Sequence, residues 1–228
     1  MLLDALQSAA LRLIGRKPSQ FIGVTSVFEM EMCDLVNEVA QDVAKYQDWQ
    51  ALVRVAEIVG DGSTEVFDLP PDYDRQLQNS AVQGNATWAW GYRRFTDINV
   101  FLFDQTRGFS GFPGGWIIYG DKVRFAPAPS GSAVYPYITN AWAKSADMAA
   151  KQAFTADTDL FLLPERLLTL GLVWRWRENK KLDASGDQEA FIKALDEYAA
   201  KDKGARVYRS SARRSFPGTH LAWPYELG

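Results

Sequence analysis

The run Leu160-Phe161-Leu162-Leu163-Pro164-Glu165-Arg166-Leu167-Leu168-Thr169-Leu170-Gly171-Leu172-Val173-Trp174-Arg175-Trp176-Arg177-Glu178-Asn179-Lys180-Lys181 carries the start, the apolar face and the end of one helix. Pro164 suits its first turn, where the missing N–H would have no intrahelical partner, and Glu165 beside it complements the positive end of the helix dipole. Leu163, Leu167, Leu170 and Trp174 recur at three- and four-residue spacing, and Leu168 and Leu172 widen the stripe. Arg175, Arg177, Lys180 and Lys181 gather at the negative C-terminal end. Gly171 interrupts this strong helix former. A mid-helix glycine costs about 1 kcal/mol relative to alanine, so the position predicts a close approach by another backbone.

Helical spacing extends to both sides of this run. After Asp187, Phe191, Ala194, Leu195 and Tyr198 share one face, and the joint Leu182-Asp183-Ala184-Ser185-Gly186 is short enough for a helical hairpin. At the N-terminus Leu2, Leu3, Leu6, Ala9, Ala10, Leu13 and Ile14 share a face that stops at Gly15. It reads as a core helix, with docking on a neighbouring subunit as the alternative. Ser26-Val27-Phe28-Glu29 matches a capping box and opens a long helix in which Phe28, Met32, Leu35, Val36, Val39, Ala40 and Val43 repeat as far as about Tyr46.

Between these helical parts the period changes. Val53, Val55, Ile58 and Val59, then Gly60-Asp61-Gly62-Ser63, then Val66, Phe67 and Leu69 predict two strands joined as a hairpin. Leu69-Pro70-Pro71-Asp72-Tyr73-Asp74 closes it, and Asp72 and Asp74 read as proline-turn residues, because no third acid or histidine follows at ligand spacing. Thr87 to Phe95 form an aromatic segment. Phe109, Phe112 and Trp116 surround the glycines of Gly108 to Gly115, which are no phosphate cradle because Trp116-Ile117-Ile118-Tyr119 leads into a strand. An aromatic-tipped contact loop is predicted there. Trp116–Tyr119 and Lys122–Phe125 form a second hairpin about Gly120-Asp121, and Ala133 to Trp142 another strand. The middle third is thus expected to be a small antiparallel sheet or barrel.

Composition excludes several function classes. With 228 residues, 47% hydrophobic and 23% charged, the chain has the make-up of an ordinary globular protein, and no apolar run approaches the ~20 residues of a membrane span. Asp4 stands where a signal peptide would carry a cation, so no secretion is expected. One cysteine, Cys33, and one histidine, His220, are too few for a zinc site or a Cys/His pair, and Cys33 reads as a buried structural thiol. No catalytic residue, metal ligand or cofactor is expected. A hydrolase using Asp72, Asp74 or Glu165 as a carboxylate pair is the weakest alternative, since nothing places two acids in a cleft.

The end of the chain has a different character. Residues 201 to 228 hold six cations against two acids, a net +4 against −7 for the remainder of a chain at −3. The same segment contains Val207, Tyr208, Phe216, Leu221, Trp223, Pro224 and Tyr225. Such residues make no core alone but are enriched in interface anchors, so the tail is expected to order on a partner. A charged stacking strip of Arg206, Arg209, Arg213 and Arg214 with Tyr208, Phe216 and Trp223, binding nucleic acid, is the alternative.

Several of these features in order carry a resemblance: the helix pair up to Asp48-Trp49, Leu69-Pro70-Pro71-Asp72-Tyr73, the strand pair Tyr119 to Pro127, Asp159 with Leu163-Pro164-Glu165, and Trp174-Arg175-Trp176-Arg177. The chain resembles the head-to-tail adaptor (connector) proteins of tailed bacteriophages over roughly residues 20 to 205. The resemblance implies an α+β fold, with a helical bundle from residues 1–50 and 145–204, an inserted antiparallel β-domain at 51–144 and an extended C-terminal arm at 205–228. It implies a virion protein of the head–tail junction, made in the host cytoplasm, that forms a homo-oligomeric twelvefold ring beneath the portal protein. The ring docks a tail nozzle or tube protein and passes DNA through an acidic lumen without specific binding or membrane contact. In that setting Arg206, Tyr208, Arg209, Arg213, Arg214, Phe216, Trp223 and Tyr225 are the portal-binding candidates, Arg175 and Arg177 the subunit-interface candidates, and Phe109, Phe112 and Trp116 the tail-facing loop.

Overall fold

A computed structural model describes residues 1–77, 80, 82–84, 92–106 and 114–203. In chain order its elements are α1 (Leu2–Ile14), α2 (Val27–Tyr46), β1 (Val53–Asp61), β2 (Val66–Asp68), β3 (Tyr73–Gln76), β4 (Gln83–Gly84), β5 (Arg93–Arg94) and α3 (Ile98–Thr106). They continue as β6 (Gly115–Tyr119), β7 (Lys122–Ala126), β8 (Ser130–Thr139), β9 (Ala143–Lys144), β10 (Ala150–Lys151), β11 (Leu160–Phe161), α4 (Glu165–Asn179) and α5 (Ser185–Lys203). The fold is α+β, as expected. The chain divides into two compact units, one from Met1–Val53 with the described residues of Thr139–Val207, the other containing Arg54–Ile138.

In the first unit α4 is the hub, packing against α1, α2 and α5. Leu167, Leu168, Thr169, Gly171, Leu172 and Val173 are all buried, which covers most of the helix circumference and explains why this helix is apolar well beyond one stripe. Against it α1 buries Leu2, Ala5, Leu6, Ala9 and Ala10, and α2 buries Met32, Leu35, Val36, Val39, Ala40 and Val43, most of the faces the periodicity predicts; Leu3, Leu13 and Phe28 are only half-buried and Ile14 is exposed. Leu170 and Trp174, read as part of the buried stripe, are only half-buried. Pro164 is the N-cap residue of α4, one position before the expected first turn. The box at Ser26 takes another form: the Ser26 hydroxyl donates to the Glu29 carboxylate, with no side-chain bond to a backbone N–H.

A three-stranded sheet, β10-β9-β11, completes this unit, with Ala150 and Leu160 both opposite Lys144. Behind it Trp142, Phe154 and Phe161 make edge-to-face contacts, Trp142 and Phe154 with centroids 4.8 Å apart. The Phe154 N–H donates to Asn37 Oδ1 at 2.8 Å, which ties this sheet to α2.

The second unit holds two sheets, β1-β8-β3 with β4 also on β8, and β2-β7-β6-β5. Ile58, Ala133, Tyr135 and Tyr137 of the first and Trp116, Val123 and Phe125 of the second are buried in one core cluster. The β6–β7 hairpin is the expected one, with Trp116 opposite Phe125 and Gly120 and Asp121 both at positive φ (59° and 56°), the conformation a two-residue turn requires. The β1–β2 hairpin does not form. Asp61 Oδ1 accepts from the N–H groups of Ser63 (2.8 Å) and Thr64 (2.7 Å), and the Gly62 N–H donates to the Pro129 carbonyl at 2.8 Å. This side-chain-built turn sends the chain from one sheet into the other, where β2 pairs with β7. The unit is also not wholly antiparallel, since β5 runs parallel to β6.

The sequence pattern does not predict α3. Ile98-Asn99-Val100-Phe101-Leu102-Phe103 lacks a polar face and so carries no helical period. Its start is fixed by Asp97, whose Oδ1 accepts from the Asn99 N–H at 2.7 Å.

Candidate functional site

The first unit is braced by charge pairs between helices. Arg175 on α4 reaches Asp42 (2.8 Å) and Glu38 (3.8 Å) on α2 and Glu178 (3.5 Å) on its own helix, with its guanidinium 4.4 Å from the Trp174 ring centroid. Arg177 pairs with Asp187 of α5 at 2.5 Å. Lys180 and the Trp176 indole N–H both bind Glu31 of α2, at 2.6 and 3.0 Å. The Lys180 bond holds the Glu31 carboxyl below its ordinary value, against a smaller opposing effect of burial. Arg175 and Arg177, the subunit-interface candidates, are thus paired with acids of their own chain. Their partners lie on other helices, at separations no local spacing reveals.

A second fixed point is the loop before α4. Asp159 is buried, yet its Oδ2 accepts from Lys151 Nζ (2.7 Å) and from the N–H groups of Thr155 (2.8 Å) and Ala156 (3.0 Å). Its carbonyl accepts from the Leu2 N–H at 2.9 Å. Burial pushes the carboxyl up, but Lys151 and the two backbone donors outweigh it and the net shift is downward. Asp157 accepts from the N–H groups of Phe21 (2.9 Å) and Ile22 (3.1 Å) in the α1–α2 connector. One short loop therefore fastens both the start of α1 and the segment after it. The acids of Asp157-Thr158-Asp159 are visible in the sequence, but their partners are not.

In the second unit Trp116, assigned to the tail-facing loop, is fully buried in β6, beside Tyr135 at 6.3 Å between centroids. Strand pairing with β7 draws it into the core, so it belongs to packing and not to a contact tip. Phe109 and Phe112 lie outside the described residues, as do Arg206, Tyr208, Arg209, Arg213, Arg214, Phe216, Trp223 and Tyr225, and His220. Asp72 accepts from the Tyr137 hydroxyl at 2.7 Å, and Asp74 pairs with Arg75 at 2.5 Å. Burial first, then the bond to Asp72, pushes the Tyr137 hydroxyl up to about 12. Asp72, in the turn before β3, is thus tied to β8, and Asp74 lies in β3 itself beside its partner Arg75, so the proline turn ends at Asp72, earlier than the sequence reading has it.

Among the described residues no cluster of three His, Cys, Asp or Glu side chains could hold a metal ion, and no helix is long and apolar enough to cross a membrane. Cys33 is half-buried, and burial pushes its thiol up, away from reactivity. What the described geometry offers is a helical unit braced by ion pairs and a second unit whose two sheets share one core.

Comparison with known families decides what kind of scaffold it is. The chain matches the sequence model of the SU10 adaptor protein family over residues 1–216. It belongs to that family. The SU10 adaptors are phage head-to-tail adaptors, which places the chain in the virion at the head–tail junction. The match begins at residue 1, so α1 is part of the adaptor architecture, whereas the resemblance read from motifs begins near residue 20. It ends at residue 216, taking in Arg206 to Phe216 of the basic segment but not Trp223 or Tyr225. No curated protein matches the chain.

Proposed function

We propose that this adaptor forms a ring beneath the portal, docks the tail below it, and encloses the passage through which DNA leaves the head. The observation that carries the reading is the adaptor-family match along nearly the whole chain, helical unit and β unit together. Physical features support it. The helical unit is cross-braced by Arg175, Arg177 and Lys180, so it can be repeated by rotation without deforming. The acidic body, −7 outside the last 28 residues, disfavours phosphate contact and suits a passage along which DNA must slide.

The basic aromatic arm from residue 205, with Arg206, Tyr208, Arg209, Arg213, Arg214, Phe216, Trp223 and Tyr225, is the portal anchor in this reading. Aromatic and arginine side chains dominate interface energetics, and a segment with four arginines against one acid, a net +3, suits an acidic portal surface. Phe109 and Phe112 are the tail-facing contacts. A chain ending at residue 204 is expected to keep its helical circular dichroism and melting temperature while losing co-sedimentation with portal rings. Electron microscopy of the full chain mixed with portal should show an added ring. A truncated chain that still adds a ring removes the arm from the reading. Binding of free DNA by the full chain at physiological salt, with a steep salt dependence, would instead make the arm a nucleic-acid strip.

A further inference from the structure

The last helix of the first unit, α5, has two unlike sides. Phe191, Ala194 and Leu195 are buried, and Phe191 stacks on Trp174 of α4 with ring centroids 5.4 Å apart. On the outward side Gln188, Glu189, Ile192, Lys193, Asp196 and Glu197 repeat at helical spacing and line an open groove of about 590 Å³. Ile192 stands 46% exposed along it. Three carboxylates against one ammonium give this lining a net negative charge. At its border Tyr46 of α2, itself exposed, donates its hydroxyl to Asp196 at 2.5 Å. An apolar side chain flanked by acids and an aromatic ring suits a chain segment that is cationic and partly apolar.

We infer that the C-terminal arm of the same chain lies back along this groove in the free subunit and is handed from there to the portal, the final partner on the reading above, on which this handover rests. The chain leaves α5 at Lys203, and the next residue, Gly204, is the type that takes the left-handed backbone with which helices commonly end. The 19 residues of α5 measure about 28 Å, a distance that roughly nine extended residues cover. An arm running antiparallel to the helix from Ala205 therefore brings Tyr208 and Arg209 level with the stretch from Ile192 to Glu197, and Arg213 within side-chain reach of Glu189. Charge selects the same occupant: residues 205–228 hold four arginines against one acid. The acidic portal surface that suits the arm would be repelled by the groove itself. A segment tethered at the end of the helix is also present at an effective concentration on the order of millimolar, so an open groove that would release a free peptide can hold this one. The portal then competes with α5 for the arm, and its apparent affinity is lowered by the fraction of arms already docked.

The test uses the full-length chain, first without portal. A variant carrying Glu189→Gln, Ile192→Gln and Glu197→Gln changes only exposed positions to a good helix former, so it should melt like the parent. An arginine-specific protease should cut at Arg209 and Arg213 about tenfold more slowly in the parent than in this variant. Salt near 1 M should remove most of the difference. In a Cys33→Ser background, Ile192→Cys with Tyr208→Cys should close a disulfide within one chain on mild oxidation. On portal rings the triple variant should bind more tightly, by the factor that its protection falls. Equal cleavage of parent and variant, or cross-links formed only between chains, overturns the inference and leaves the arm as portal anchor. Lost protection with unchanged portal affinity overturns the handover. A chain ending at residue 204 that still adds a ring to portal removes the portal-anchor reading and the handover with it.

Discussion

Gly171→Leu is expected to destabilise the helical unit by about 3 kcal/mol or more, enough to abolish its cooperative melting in a marginally stable chain. A Cβ at this position would already overlap Val39 Cγ1 of α2 and lie 3.1 Å from Phe191 Cε2 of α5. Val39 is a buried β-branched residue on a helix, held to one favoured rotamer, so it cannot turn aside cheaply. Leucine would drive three further carbons into the same junction of α2, α4 and α5. Gly171→Ala makes a finer test, because the helix gains about 1 kcal/mol in propensity while the methyl meets Val39. Combining it with Val39→Ala should recover stability beyond the sum of the single changes, a coupling that urea denaturation can measure. A leucine variant that melts like the parent would mean that α2 and α5 stand farther from α4 than described.

Asp159→Ala should cost about 3 kcal/mol, because it leaves Lys151 without its anion and two backbone N–H groups without an acceptor. The loss should depend on pH in a definite sense. The folded-state carboxyl is depressed below its unfolded value, so its contribution is fully present above the ordinary carboxylate pKa of about 4 and disappears as the pH falls through the folded value. Denaturation of parent and variant should therefore differ by a constant amount from about pH 5 to pH 8 and converge in stronger acid. A gap that stays the same down to pH 2 would mean that the carboxylate charge is not what fastens the loop. Replacing the pair together, Asp159→Leu with Lys151→Met, should recover only part of the loss, since Thr155 and Ala156 still need an acceptor.

What the sequence discloses here follows from range. Most of the faces of α1 and α2 and the tight packing at Gly171 are written in three- and four-residue spacing, and the hub helix departs from its reading at Leu170, Trp174, the exact place of Pro164, and Gly171, whose close neighbours are the side chains of Val39 and Phe191 and not a backbone. Strand partners are a matter of long range. Asp61-Gly62 looks like a hairpin turn until Asp61 is seen to bind Ser63 and Thr64, after which Val66 pairs with Arg124 in another sheet. α3 has no period to read, because a helix without a polar face looks like any other apolar run. The functional residues divide in the same way. Trp116 looks like a loop tip beside its glycines but is claimed by β6, and Arg175 and Arg177 look available until Asp42 and Asp187 are brought to them by other helices.

The loop at Asp157 and Asp159 has a further consequence, for the order in which the protein can be completed. During synthesis α1 and α2 emerge first, but α4, the helix their apolar faces cover, and the acids that hold α1 and its connector arrive more than 100 residues later. The strands of the intervening unit are all available before then. The first helices must therefore wait, uncovered, while the middle of the chain finds its own partners, and they close only when the ribosome has delivered α4. Nascent chains that stall before residue 165 expose Leu2, Leu6, Met32 and Val39 together, so the interval between α2 and α4 is when this adaptor is most open to aggregation or to chaperone capture.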